Sequence, residues 1–323
     1  MTITNAIQSF ILNQHLKGNT SKTIHGYNGF LSRFQKWLNS KGITDIENIT
    51  LQDMQKYQIF IDTKKAERGH GVSFGNVISV ASASSKKNKL SKRSVQTYIR
   101  HIKIFLKYCY YEGFISEPLH NNIIIPKAEK PIIEILTEEE IICIFSCLSN
   151  SNSNQNIRNK SIISLMLDSG LRLSEVVSIK TKDINFNQGY ITIMGKGRKG
   201  RIVPIGLKVR KVLLSYIQKR RTADNLQDDE YFFLSKQRKP ITKDCISSLM
   251  SRLKYKSGVT RLHAHLFRHT FATNFLVYGL GDVYELSRIL GHSQITITER
   301  YLQIASYYTI LEKRRKLSYL DMM

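Results

Sequence analysis

The chain has 323 residues, with 49 Lys and Arg against 25 Asp and Glu and a formal net charge of +24. No apolar run approaches the ~20 residues of a membrane span, and the first residues lack the basic start and cleavage site of a signal peptide. We therefore expect a cytoplasmic protein without a membrane role. So large a basic excess favours a polyanionic partner, above all nucleic acid, although a merely basic surface is the simpler alternative.

The N-terminal part of the chain predicts helices. Residues 21–42 place apolar side chains at helical spacing, with Ser21 as the expected N-cap and Gly42 as the expected C-cap. Residues 50–61 begin with a capping-box pattern, T-x-x-D. Residues 92–113 repeat the amphipathic design, and their basic side chains either face solvent or follow phosphates.

Two irregular stretches interrupt these helices. Residues 66–91 are rich in Gly, Ser and Lys, which indicates a loop or a short extra element. Residues 116–133 carry three prolines, and proline favours an extended linker. The pattern predicts a helical N-terminal domain over 1–122 and a linker over 123–135.

The second half combines helices with one change of period. Helices are expected after Thr137, as an N-cap, and before Gly170. Tyr190–Met194 and Arg201–Ile205 are β-branched runs joined by a glycine-rich basic turn, which predicts a hairpin. The four cysteines form no CxxC pair, and Cys143 and Cys147 are expected to be reduced core residues. The predicted fold is mostly α with a small antiparallel β-sheet, in two domains.

Several polar residues in this half could carry chemistry. Arg172 follows a helix-ending glycine, and Glu175 lies one helical turn on, where its carboxylate could hold the guanidinium. An ordinary surface pair is the alternative. Lys196 lies at the tip of the hairpin as a candidate proton donor, or as part of a basic turn that touches phosphate or water.

The segment HAHLFRHTFATNFL is denser in such residues. His265 and Arg268 are three residues apart, so they share one face of a helix and could bind a phosphate together. His263 and His269 compete with His265 for that role, and a structural histidine is the alternative.

The segment LGHSQITITERY contains His292 and, nine residues later, Tyr301. A phenol is a poor nucleophile at its ordinary pKa near 10, but nearby arginines would favour the phenolate. A core tyrosine is the alternative for Tyr301.

Taken together, these motifs resemble the tyrosine recombinase family, the lambda-type phage integrases, which includes the Xer recombinases. The resemblance covers residues 136–301. Its motifs are G-L-R-L-S-E, G-K-G-R-K-G-R-I-V-P-I, H-L-F-R-H-T-F-A-T, L-G-H-S and a tyrosine nine residues after the last histidine. The resemblance implies a helical core-binding domain over 1–122, a mixed α/β catalytic domain over 136–305 and a tail helix over 306–323.

The resemblance also implies a mechanism of DNA strand exchange. Tyr301 would attack the scissile phosphate and form a 3′-phosphotyrosyl bond, while Arg172 and Arg268 clamp the phosphate oxygens. Glu175 would orient Arg172. Since arginine and lysine supply the positive charge, no metal is expected. The ester conserves the bond energy, so no ATP is expected either.

Three further residues complete the implied catalytic set. His265 would act as the base toward the tyrosine or as a hydrogen-bond donor to the phosphate, and the sequence leaves both open. Lys196 would protonate the leaving 5′ oxygen. His292 would hydrogen-bond the phosphate.

The implied partner is a double-stranded DNA recombination site, bound by a homotetramer, and an accessory DNA-bending protein is a further candidate partner. The residues expected to contact DNA are Lys92, Arg93, Arg100, Lys103, Arg198 and Lys199. The tail over 306–323 would dock on a neighbouring protomer, although packing on its own domain is the alternative.

The favoured biological role is integration and excision of a mobile element, with transposition as a related role. Xer-type dimer resolution and a catalytically silent DNA-binding regulator are the alternatives. A type IB topoisomerase-like enzyme and a metal-dependent nuclease fit the motifs less well, the second because the chain shows no acidic cluster.

Overall fold

The computed structural model describes the following residues: 1–63, 90–127, 133–149, 153–195, 200–221 and 230–316. These residues are mostly helical, with a three-stranded antiparallel sheet. The predicted fold class is therefore confirmed. Most of the predicted loop 66–91 lies outside the described residues. Two compact units, Met1–Pro131 and Ile132–Met323, make up the chain, and they divide inside the segment 123–135 that the sequence predicts as a linker.

The first unit is a helical bundle. Its helices are α1 (Ile3–Leu16), α2 (Ser21–Asn39), α3 (Leu51–Thr63), α4 (Lys92–Tyr111) and α5 (Leu119–Asn122). Aromatic residues such as Phe10 and Phe105 fill the core and meet edge to face, with ring centroids 5.6 Å apart. The cap of α2 is Thr20, one residue before the predicted Ser21. The predicted capping box at the start of α3 is confirmed.

The second unit holds the remaining elements. They are α6 (Glu138–Ser149), α7 (Asn154–Ser169), α8 (Leu173–Val176), β1 (Ile184–Asn185), β2 (Tyr190–Met194), β3 (Gly200–Pro204), α9 (Leu207–Arg221), α10 (Lys243–Ser257), α11 (Ala264–Val277), α12 (Val283–Leu290) and α13 (Thr296–Lys316). β2 and β3 form the predicted hairpin, and Ile191 pairs with Val203. β1 could not be predicted from the sequence, because a two-residue strand shows no alternation.

Helix ends in the second unit follow their local chemistry. The hydroxyl of Thr137 accepts the backbone N–H of Glu140, as an N-cap does. Gly170 ends α7 with φ +60°, the left-handed conformation that favours glycine. Cys143 lies on the exposed side of α6, so its predicted place in the core is wrong, whereas Cys147 is half-buried and packs against the core.

The centre of this unit is α11, a largely buried helix that packs against α7, α12 and α13. The long helix α13 runs without a break through the predicted boundary at residue 306. Its inner side buries Tyr301 and Ala305, and Tyr301 packs against α11 and α12. Its outer side exposes Leu302, Ile310 and Leu311. Among the described helices, none is both long and apolar enough to span a membrane.

Candidate active site

Arg172 and Glu175 are in contact, as the sequence predicts. Arg172 is the N-cap of α8, and its Nη1 donates to Oε1 of Glu175 at 3.0 Å. The backbone N–H of Arg172 donates to Oε2 at 2.8 Å. Glu175 is only 8% exposed, so this is not an ordinary surface pair. The guanidinium of Arg172 is half-buried and also donates to the carbonyl of Gly291.

A second arginine, which the sequence interpretation missed, holds the same carboxylate. Arg201 on β3 donates from Nη1 and Nη2 to the two oxygens of Glu175, at 2.9 and 2.8 Å. Burial acts to raise the pKa of Glu175. However, the hydrogen bonds and charges of Arg201 and Arg172 outweigh burial and hold that pKa below its ordinary value. Glu175 therefore stays ionised and fixes Arg172 from behind.

Arg201 also fastens the sheet to the end of α12. Its Nε donates to the carbonyl of Ile289 at 2.7 Å. Gly291 ends α12 with φ +63°, and a Cβ atom there would lie 2.9 Å from Nη1 of Arg201. Glycine is thus required at this position by its backbone conformation and by the close approach of the guanidinium.

Arg268 is the buried centre of the site and is only 3% exposed. It donates to the carbonyls of Gly170 (2.7 Å) and Leu290 (2.9 Å), and Nη2 lies 2.8 Å from Nε2 of His292. Burial, with the charge of Arg172, lowers its pKa to about 10, so it remains cationic at neutral pH. These bonds use both N–H groups of Nη2 and one of Nη1, and the guanidinium also hydrogen-bonds the hydroxyl of Tyr301.

His292 directly follows Leu290 and Gly291, whose carbonyls accept hydrogen bonds from Arg268 and Arg172. Its Nε2 accepts from Arg268, and its Nδ1 lies 2.8 Å from the hydroxyl of Thr298, a fully buried residue. Burial, with the charges of Arg268 and Arg172, lowers the pKa of His292 to about 4. The ring is therefore neutral at pH 7, with its proton on Nδ1 facing Thr298.

Tyr301 lies beside these groups and is 4% exposed. Its hydroxyl is 2.8 Å from Nδ1 of His269, not of the predicted His265, which lies exposed one turn earlier on α11. Burial raises the pKa of Tyr301, although Arg268 and Arg172 act to lower it. The expectation that the arginines favour the phenolate is thus outweighed by burial in this state.

A cleft of about 1470 Å³ opens beside this site and is lined by Arg172, Gly195, Gly200 and His292 among others. Lys196 and the predicted DNA contacts Arg198 and Lys199 lie outside the described residues. Gly195, which precedes Lys196 in the chain, lines this cleft.

The predicted DNA contacts of the first unit lie on α4. Their spacing places all four within about 100° of arc, because successive helical residues turn about 100°. Lys92, Arg93 and Arg100 are exposed. Lys103 is half-buried and donates to the carbonyl of Ile123 at 3.3 Å. The exposed three leave their charges free to meet a polyanion.

No group of three or more His, Cys, Asp or Glu side chains in the described ranges is placed to hold a metal ion. What the described site offers is two clustered arginines, neutral histidines and a tyrosine hydroxyl. Such a set can bind a phosphate oxyanion next to a nucleophile. Such a set is suited to phosphoryl transfer to a tyrosine.

Comparison with known proteins agrees with this chemistry. The model of the phage integrase family matches residues 134–307. The tyrosine recombinase XerC of Bacillus pumilus is 28% identical over 294 residues, which cover 90% of this chain and 88% of the relative. XerC of Staphylococcus aureus is 30% identical over 223 residues, or 68% and 73% of the two chains.

Among solved structures, the Tn1549 transposon integrase in complex with transposon right end DNA has the same fold. Its TM-score is 0.69 at 18% identity, covering 98% of this chain and 100% of that one. The chain belongs to the phage integrase family. It is a site-specific tyrosine recombinase.

Proposed function

We propose that the chain cleaves and rejoins DNA at a recombination site through a 3′-phosphotyrosyl intermediate on Tyr301. The observation that carries this proposal is the convergence of Arg172 and Arg268 on the turn Leu290–His292, with the hydroxyl of Tyr301 beside Arg268 and its ring centroid 6.5 Å from that of His292. A phosphate bound by both arginines would lie next to this hydroxyl. Its developing charge would be stabilised by preorganised donors.

The remaining residues support the same step. Glu175 and Arg201 hold Arg172 in position, so its guanidinium loses little freedom when it binds a phosphate. His292 accepts from Arg268 through Nε2 and so helps to orient it, and the proposed hydrogen bond from His292 to the phosphate needs a proton on that same nitrogen. His265 is exposed and free to donate to a phosphate oxygen. Lys196 is proposed to protonate the leaving 5′ oxygen from its place beside Gly195.

The proposed substrate is double-stranded DNA, gripped through phosphates by both units. The exposed basic residues of α4 and the net charge of +24 support this. Assembly as a homotetramer on two DNA sites is proposed from the outer side of α13. There, Leu302, Ile310 and Leu311 are apolar and exposed, as a surface for a neighbouring protomer requires.

Replacement of Ile310 and Leu311 by Asp tests this assembly. The double variant should keep the stability of the wild type, because both side chains are exposed, but should fail to pair two DNA sites in a gel-shift assay. Pairing at the wild-type level would show that this face is not the interface.

The proposed role is integration and excision of a mobile element, for which an accessory DNA-bending protein would be an additional factor. Xer-type dimer resolution is the alternative, and the XerC relatives support it. Recombination of plasmids with two sites on one molecule, compared with sites on two molecules, separates these roles. Resolution alone indicates a resolvase, whereas efficient joining of separate molecules indicates an integrase.

A trapped covalent complex tests the proposed chemistry. Tightly bound fragments, selected from DNA of the host, would be nicked beside the cleavage point, so that the freed strand diffuses away and rejoining stops. Wild type and Tyr301→Phe would be run on a denaturing gel with EDTA, beside the matched control Tyr307→Phe, which alters an exposed tyrosine of the same helix. A covalent band lost only in Tyr301→Phe is expected. Tight binding without any covalent band would favour the silent regulator.

A further inference from the structure

His269 contacts the hydroxyl of Tyr301, the proposed nucleophile. Its Nδ1 lies 2.8 Å from the hydroxyl oxygen of Tyr301, within hydrogen-bond distance. His265, the histidine that the family motif singles out, lies one turn earlier on α11. Its ring centroid is 6.2 Å from that of His269. The motif histidine is therefore placed toward the open side of the site, and His269 is placed on the tyrosine.

Helix packing fixes this contact. His269 lies on α11, directly after the buried Arg268, and Tyr301 lies on the side of α13 that packs against α11. The aromatic ring of Tyr301 is held by a buried cluster that includes Ala272 and Leu286. The packed faces of α11 and α13 thus set the distance between Nδ1 of His269 and the hydroxyl of Tyr301. A general base must lie within hydrogen-bond reach of the proton that it takes, and this distance satisfies that requirement.

His269 is also in the protonation state that a base needs. Burial, followed by the charge of His265, lowers its pKa to about 4, so the ring is neutral at pH 7. A neutral imidazole with its proton on Nε2 presents the lone pair of Nδ1 to the phenol. Before DNA binds, the proton stays on Tyr301, whose own pKa is raised by burial. The negative phosphate would then favour a cationic imidazolium nearby.

We propose that His269 is the general base of the cleavage step and takes the phenolic proton of Tyr301 as the nucleophile attacks. This inference rests on the proposed function. The O–H bond of Tyr301 breaks and its proton moves to Nδ1 of His269. The phenolic oxygen forms a bond to phosphorus while the bond from phosphorus to the 5′ oxygen breaks. That oxygen receives a proton from Lys196, and rejoining returns the first proton from His269 to the tyrosine.

Two substitutions separate a base from a residue that only positions the tyrosine. His269→Ala removes the contact. His269→Asn places an amide oxygen close to the site of Nδ1, where it accepts a hydrogen bond from the phenol but cannot take its proton. Cleavage of the nicked substrate would be measured in single turnovers. We expect both variants to cleave at least about 100-fold more slowly than wild type, as the loss of a general base predicts.

A substrate with sulfur in place of the leaving 5′ oxygen assigns the defect to one side of the reaction. A thiolate leaves without protonation, so this substrate should restore cleavage by Lys196→Ala, the matched control, but not by His269→Ala or His269→Asn. Thermal melting and non-covalent DNA binding of each variant would show that it folds. His269→Asn retains a polar group at this position if the alanine variant does not fold.

The outcomes are distinct. Cleavage by His269→Asn within about threefold of wild type would reduce His269 to a positioning residue and overturn the proposal. Restoration of either His269 variant by the sulfur substrate would place its role at the leaving group and overturn it as well. Failure of the wild type to form any covalent complex would instead refute the proposed function.

Discussion

Glu175→Gln should destabilise the second unit and slow DNA cleavage together. Glu175 accepts three hydrogen bonds from the guanidinium groups of Arg172 and Arg201 and one from a backbone N–H, at 2.8 to 3.0 Å. Removal of one partner from a buried ion pair costs ~3–5 kcal/mol. The amide keeps the shape and one acceptor oxygen, so we expect a loss of about 2–4 kcal/mol. For a unit of this size, that lowers the melting temperature by roughly 10 °C.

Denaturant titration followed by circular dichroism would measure the free energy of unfolding. Glu134→Gln is the matched control, because Glu134 also pairs with an arginine, Arg261, but is 65% exposed. Solvent screening limits an exposed pair to about 0–1 kcal/mol. If the two variants lost equal stability, the buried carboxylate would not organise the site. Loss of stability without slower cleavage would show that Arg172 keeps its position unaided.

Two further predictions concern stability. Gly291→Ala should cost about 2–3 kcal/mol, because it adds a clash with Arg201 to the strain of a left-handed residue, whereas Gly258→Ala, with φ +74° and open space around it, should cost only about 1 kcal/mol. If chemical denaturation showed that both variants lose the same free energy of unfolding, the close approach of Arg201 to Gly291 would not contribute to the cost. Acidification should also weaken the fold. The pKa values of His269 and His292, about 4 instead of the ordinary 6.5, mean that the unfolded chain binds these protons first. The contribution of the two rings to the free energy of unfolding should therefore be fully present above pH 6.5. It should fall, by on the order of 1 kcal/mol for each half-buried ring, as the pH approaches 4. A stability that stays constant from pH 7 to 4.5 would contradict these pKa values.

The sequence predicts those parts of the site that local spacing encodes. The contact of Arg172 with Glu175 spans three residues and follows from one helical turn. The roles of Arg201 and His269 could not be predicted in this way, because their partners lie 26 and 32 residues away and meet them only through the packing of the sheet and of α13. Arg201 lies within a quoted motif, but no rule of spacing connects it with Glu175.

Differences of a single residue, such as Thr20 in place of Ser21 as the cap of α2, have a local cause. Adjacent hydroxyl residues compete to cap a helix, and the sequence offers both. The burial of Tyr301 has a tertiary cause. Its raised pKa results from a cluster assembled by three helices, and composition carries no signal for that cluster.

The uninterrupted helix α13 makes the nucleophile sensitive to forces applied far from it. Tyr301 and Leu311 lie on the same rod, ten residues and about 15 Å apart along its axis. A tilt of about 10°, pivoting on the outer end, would displace the phenol by about 2.5 Å, enough to break its hydrogen bond to His269. The contacts made by the outer end of α13 therefore set the alignment of the tyrosine, so the timing of cleavage depends on how the assembly holds that end of the helix.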